Sequence, residues 1–261
     1  MPTDWDPDQY RRFEAERSAP FWDLVALVEP GVGRMVDLGC GDGDLTMAAA
    51  ERLGVESVVG IDSSPAMVAR AEHHDDGRHR FVAGDIAAWT GAGDVDLVLA
   101  NASLQWVPDH RAVLRQWRDA LAPGGQLAVQ VPANGDHPSH TVADEVARRQ
   151  PFLDAFDGAP PPNPTGTNVL APQEYATLLH ELGFTQQHVR LQVYPHLLGA
   201  SSDVVEWVRG TNLTRFFRLL PDMLHEPFVD AYRTALLERI GEEAPYFYAF
   251  TRILMWGRLD S

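Results

Sequence analysis

From about residue 20 to residue 131, short apolar runs alternate with stretches whose apolar positions recur every three to four residues. The runs predict strands at 34–39 (RMVDLG), 57–62 (SVVGID), 80–86 (RFVAGDI), 95–103 (VDLVLANAS) and 125–132 (GQLAVQVP). Between them, 19–28, 44–54 and 63–74 read as helices, and a further helix from about 107 is broken at Pro123-Gly124-Gly125. Local signals agree with these bounds. Pro20 sits near the first position of its helix, where a missing N–H costs nothing. Gly54 is a C-terminal stop, and Ser64 caps its helix with Pro65 just inside. The strands are apolar on both sides of the alternation, as required when helices cover both sheet faces. Such an order predicts right-handed βαβ units in a doubly wound parallel sheet.

Beyond Pro132 the pattern changes. A helix starts at about Ser139, and 157–166 (DGAPPPNPTG) is a Pro/Gly-rich loop. A helix at 171–184, a strand at 188–198, two amphipathic helices between 201 and 241 and a closing strand at 246–256 follow. The fold class is α/β: a Rossmann-like, mostly parallel sheet of seven strands, the last ones including an antiparallel strand. The whole chain, 1–261, reads as one domain, with 133–171 and 199–245 as helical cap insertions over the active-site cleft.

Composition narrows the partners. The chain has 261 residues, 45% hydrophobic and 22% charged, with a formal net charge of −16. That charge disfavours nucleic acid and anionic membranes, although arginines in a cleft still act locally because salt screens the general field. One cysteine forms no internal disulfide, the N-terminus lacks the pattern of a secretory signal, and no apolar run is long enough to span a bilayer. These features point to the cytoplasm.

The chemistry gathers in VDLGCGDGDLT, 36–46, with its three glycines directly after the first strand. At this turn the main chain and a helix N-terminus face a ligand. A dinucleotide wants G-x-G-x-x-G, whereas Gly39, Gly41 and Gly43 give G-x-G-x-G. Asp37 and Asp42 repel a pyrophosphate but suit a cationic nucleoside such as S-adenosylmethionine. Asp62, ending the second strand, is placed to accept ribose hydroxyls, and Asp85 with Ile86 to bind and cover adenine. Cys40 is read as a small residue in a tight loop, not a reactive one. A dehydrogenase is disfavoured by the third glycine, and a non-catalytic nucleoside-binding protein is compatible with the same residues.

VDLGCGDG, GIDSSPAMVARA, AGDI and ANASLQWVPDH resemble class I S-adenosylmethionine-dependent methyltransferases. DWDPDQYRRFEAERSAP, NASLQWVPDH, LAVQVPAN, HPSH and AFTRIL are similar to the trans-aconitate methyltransferases within that class. The N-x-x-x-Q-W stretch is shared with malonyl-carrier-protein methyltransferases, so a carrier-bound acid or a biosynthetic intermediate is the alternative acceptor. The chain departs at Asp42, where proline is expected, and at Ala19, where a basic residue is expected. The resemblance implies S-adenosylmethionine as cofactor and methyl transfer to a carboxylate of a small polycarboxylic acid.

The expected cofactor-binding residues are Asp37, Gly39, Cys40, Gly41, Asp62, Ser63, Met67, Asp85, Ile86 and Asn101. Tyr10, Gln105, His140 and Arg252 are the expected acid-side residues. No catalytic side chain is assigned, because a carboxylate is already ionised at neutral pH and needs positioning, not a base. Arg209, Arg215 and Arg218 read as solvated surface charges, Trp106 as core packing or a cleft wall, and His196 as structural. His73 and His74 show no third ligand in the sequence, so no metal site is expected.

Overall fold

The computed structural model describes residues 14–261. Tyr10 lies outside the described residues. The first helix among the described residues, α1 (Glu14–Val25), already includes residues before 19, so Pro20 stands inside it and not at its first position. The remaining elements of the first half alternate as predicted: β1 (Arg34–Leu38), α2 (Asp44–Leu53), β2 (Ser57–Asp62), α3 (Pro65–Ala71), β3 (His79–Ala83), β4 (Val95–Asn101), α4 (His110–Asp119) and β5 (Leu121–Pro132). In the second half come α5 (Pro138–Ala147), α6 (Phe152–Ala155), α7 (Pro164–Thr167), α8 (Pro172–Glu181), β6 (Gln186–Leu198), α9 (Asp203–Arg209), α10 (Thr214–Phe217), α11 (His225–Ile240) and β7 (Tyr246–Arg258).

The seven strands form one sheet in the order β3-β2-β1-β4-β5-β7-β6. Strands β1 to β5 pair in parallel, and β7 runs antiparallel to β5. The strand order reverses between β1 and β4. In doubly wound sheets a ligand binds at such a reversal, beyond the carboxyl ends of the strands.

Strand β5 starts at Leu121, upstream of the Pro-Gly-Gly stretch that suggested a loop. A register shift between Val95 and Leu97 absorbs the irregular segment, so Leu121 still pairs with Val95 while Gln126 pairs with Leu97. A bulge of this kind lets proline and glycine enter a strand without ending it.

The described chain forms two compact units. The sheet unit comprises Ser18–Ala133, Asn168–Gln192 and Arg252–Ser261. Its core packs Val36, Leu38, Val98, Ala100, Leu127 and Val129 against α4 and α8 through Trp117, Tyr175 and Leu179. The helical unit includes Asn134–Thr167 and Val193–Thr251. It has its own core, in which Phe152, Phe216 and Phe228 pack with Val142, Trp207, Tyr232 and Tyr248. Among the described residues, no helix is long and apolar enough to cross a membrane.

Candidate active site

Between β1 and α2 the backbone makes contacts that only glycine permits. Gly39 adopts φ +93°, and a Cβ built on it would lie 2.2 Å from Cβ of Ser103. The Ser103 hydroxyl, just beyond β4, donates to Leu38 O at 2.5 Å. The carboxyl ends of β1 and β4 are thereby clamped at the reversal point. The N–H groups of Gly39 and Cys40 both donate to Ile61 O, at 2.7 and 3.1 Å. Gly41 differs: it has φ +60°, but nothing lies within 4 Å of where its Cβ would stand. Its N–H donates to Asp62 Oδ2 at 3.0 Å. Asp62 Oδ1 accepts from the N–H of Ser64 at 2.8 Å. One carboxylate at the end of β2 thus braces the loop and the start of α3 together.

Asp37 lies under the loop and is buried. Its Oδ2 accepts from the Thr46 hydroxyl at 2.5 Å. Its Oδ1 is buried with no hydrogen-bond partner. Burial pushes the Asp37 carboxyl up to about 7; the Thr46 hydrogen bond opposes that shift and the charge of Asp62 adds to it. Cys40 is spent within the loop. Its carbonyl accepts from the Gly43 N–H at 3.1 Å. Its thiol packs with Ala71 and Phe81, and burial together with Asp37 and Asp62 raises its pKa.

The remaining predicted cofactor residues lie in the segments that follow β2 and β3. Ser63 is exposed and Met67 buried on the first turn of α3, with the Met67 N–H on the Ser64 hydroxyl at 3.4 Å. Asp85 follows β3 in a turn, not within the strand, and its Oδ1 accepts from the Ala87 N–H at 2.9 Å. Ile86 is buried, and its carbonyl accepts from Trp117 Nε1 at 3.1 Å.

Strand register places a polar row across one sheet face. Asp37 pairs with Leu99, Asn101 with Gln130, Gln130 with Leu254, and Pro132 with Arg252. Paired residues share a face, as do residues two apart on one strand. Asp37, Asn101, Gln130 and Arg252 therefore stand on the same side of β1, β4, β5 and β7. Arg252 Nη1 donates to Gln130 Oε1 at 3.0 Å, and both residues are buried. Gln130 Nε2 and Asn101 Oδ1 are buried without a hydrogen-bond partner. Each such group costs about 1–3 kcal/mol. Gln105 lies in the turn after β4, where its Nε2 donates to Ala102 O at 2.6 Å and its Oε1 is buried without a partner. Trp106 is 39% exposed and so is not a core residue.

Gln130 was not among the residues the sequence pointed to. In GQLAVQVP it resembles one more alternating position. The available signal was an amide in a strand that both-face burial makes apolar elsewhere.

His140, among the predicted site residues, belongs to the helical unit, as do His196, Arg209, Arg215 and Arg218. His140 is buried, with Nδ1 3.0 Å from the Ser139 hydroxyl, which also lies 3.0 Å from Tyr248 OH. Burial, with smaller contributions from His137 and Arg215, lowers its pKa to about 3, so the imidazole is neutral. Arg215, expected to be solvated, is buried; its Nη2 is 2.5 Å from Asp144 Oδ1 and its Nη1 donates to Pro161 O. Its helix faces α5 in a way the local pattern does not show. Arg209 pairs with Glu226 and Arg218 is exposed, while His196 lies against Trp207 at 4.8 Å.

The start of α2 and the end of α3 bring Asp44 beside His73 and His74, with ligand-type atoms all within 4.8 Å of one another. The sequence showed no third ligand because Asp44 is distant along the chain. His74 Nε2 already bonds Asp44 at 2.9 Å, and His73 and Asp44 are exposed.

Comparison with known proteins adds four findings. The family described as "Methyltransferase domain" matches residues 35–125. The chain is 41% identical over 255 residues to trans-aconitate 2-methyltransferase of Deinococcus radiodurans, covering 96% of each chain. Among solved structures, YcgJ of Bacillus subtilis is similar with a TM-score of 0.58 at 13% identity, over 93% of this chain and 99% of that one. Phosphoethanolamine N-methyltransferase 2 of Haemonchus contortus, solved with S-adenosylmethionine, gives 0.55 at 14% identity, over 94% of this chain and 56% of that one.

Proposed function

This chain belongs to the S-adenosylmethionine-dependent methyltransferases, in the family of the trans-aconitate 2-methyltransferases, and we propose that it esterifies one carboxylate of trans-aconitate. Bound S-adenosylmethionine supplies an electrophilic methyl group on a sulfonium centre. The observation that carries the reading is the buried Asp37 with its unpartnered Oδ1, beside a loop that is open at Gly41. A carboxylate in that position favours a cation and disfavours a pyrophosphate. The residues therefore fit a phosphate-free, positively charged nucleoside and count against a dinucleotide.

Asp37 and Asn101 offer acceptors to the cationic end of the cofactor. Asp62, held by two backbone N–H groups, keeps lone pairs for ribose hydroxyls. Asp85 and Ile86 at the end of β3 are proposed to bind adenine. Arg252 is proposed to hold a carboxylate of the acid, since guanidinium is the side chain best matched to carboxylate geometry. Gln105 directs its donor to Ala102 O, so its part in acid binding is proposed to be positional.

The reaction asks the protein for alignment. The acid is its own nucleophile at neutral pH, and holding reactants in line can supply about 7–11 kcal/mol in well-organised cases. A cytoplasmic location and a small-molecule acceptor, not nucleic acid, are proposed from the charge of −16 and the single cysteine. Incubation with methyl-labelled S-adenosylmethionine and a panel of di- and tricarboxylic acids tests the reading. A base-labile labelled ester on trans-aconitate is expected. Label on nitrogen, or transfer to no acid, overturns it.

A further inference from the structure

Across the polar row, the buried atoms left without a partner sort by sign. Asp37 Oδ1 on β1 and Asn101 Oδ1 on β4 are acceptors, whereas Gln130 Nε2 on β5 is a donor. Arg252 on β7 then places a cation at the far end. Neighbouring strands are about 4.8 Å apart and Gln130 stands two residues further along the register than Asp37, so their backbones are separated by roughly 12 Å.

Arg252 also fixes which way the Gln130 amide points. Its Nη1 donates to Oε1 at 3.0 Å. Guanidinium has no acceptor, so turning the amide over would set donor against donor. The NH2 end is therefore held away from Arg252. Gln130 is 0% exposed, so its unmatched Nε2 carries a desolvation cost that an acceptor on a ligand would remove. An anionic oxygen is the partner that such a donor beside a guanidinium favours most.

We propose that Gln130 Nε2 binds a carboxylate of the acceptor acid, making Gln130 a specificity-determining residue of the reaction. This rests on the carboxyl-methylation reading and extends it to an unassigned residue. Arg252 acts with it in two ways: it orients the amide and supplies positive charge. The cofactor loop and Asp62 take no part, so acid affinity and cofactor affinity separate.

The test uses two near-isosteric variants and trans-aconitate titrated calorimetrically into protein saturated with S-adenosylhomocysteine. Gln130→Met removes the donor together with the acceptor for Arg252 Nη1, whereas the second variant keeps that acceptor. Gln130→Glu keeps the shape and the tie to Arg252 but presents an acceptor to the acid. Losing one hydrogen bond to a charged group predicts that the acid Kd and KM rise about tenfold to a hundredfold in Gln130→Met, and further in Gln130→Glu. The cofactor Kd and kcat stay close to wild type. An unchanged acid Kd overturns the inference, and so does equal loss of acid and cofactor affinity. Should both variants fail to fold, the Gln130 side-chain amide resonances of the wild type decide. They shift when acid joins the S-adenosylhomocysteine complex, and resonances that stay still overturn the inference. A wild type that binds and esterifies no acid overturns this inference together with the proposed function, whereas variants that bind acid normally overturn this inference alone.

Discussion

Gly39 and Ser103 meet so closely that a methyl group on the glycine would stand 2.2 Å from the serine Cβ. Both positive φ and the neighbouring backbone forbid relief. Gly39→Ala is expected to destabilise the protein by about 2–5 kcal/mol, from left-handed strain plus overpacking. Gly41→Ala meets open space and carries only the strain, about 1–2 kcal/mol. Its larger effect is expected on cofactor affinity, because the new methyl group enters the open side of the loop. Urea midpoints set beside cofactor titrations separate the two. Equal stability losses would show that the Ser103 contact is not what forbids a side chain at Gly39.

Asp37 makes stability depend on pH in an unusual direction for a carboxyl. Its folded value, about 7, lies above the ordinary 3.8. Stability is therefore fully present below about 4 and declines as pH rises through 7. Relative to Asp37→Asn, the ligand-free wild type is expected to lose up to about 4 kcal/mol between pH 4 and pH 8. Cofactor binding shows the opposite trend, since a cation favours the ionised carboxyl: affinity rises through pH 7 in the wild type and stays flat in the variant. Denaturation curves at several pH values for both proteins check this. A constant difference between them would remove Asp37 as the titrating group.

His140 acts on the other side of neutrality. Its folded pKa of about 3 lies below the ordinary 6.5. The stability it preserves is present above 6.5 and declines as pH falls toward 3, at up to about 1.4 kcal/mol per pH unit. His140→Gln is expected to flatten that limb of the stability profile. An unaltered acid limb in the variant would contradict the burial of the ring.

Asp62 and Arg252 should fail differently. Asp62→Ala frees the N–H groups of Gly41 and Ser64 and removes the ribose acceptor, so the cofactor Kd is expected to rise by tenfold or more, about one hydrogen bond to a charged group. Arg252→Ala is expected to raise the acid KM while leaving the cofactor Kd near wild type. Unaltered acid kinetics in that variant would remove Arg252 from the acid site.

Much of this was legible in the order of residues. Buried parallel strands read as apolar on both alternations, which is why β1 to β5 were predictable in existence and sequence. The positions of the glycine loop, Asp62 and Asp85 at or just beyond strand ends were legible because turn chemistry and strand ends leave local marks. Interactions made across the fold left none. Arg215 looked like any surface cation until α5 brought Asp144 to it. Asp44 gave no hint of approaching His73 and His74, and the start of β5 was hidden because a bulge carries its proline and glycines. Gln130 was concealed most fully, since its hydrogen bond comes from Arg252 on the antiparallel β7.

The row from Asp37 to Arg252 has a sense of direction. On the proposed reading, its acidic end on β1 suits the cationic donor and its basic end on β7 the anionic acceptor, so the order of four strands sorts two oppositely charged ligands along a single face.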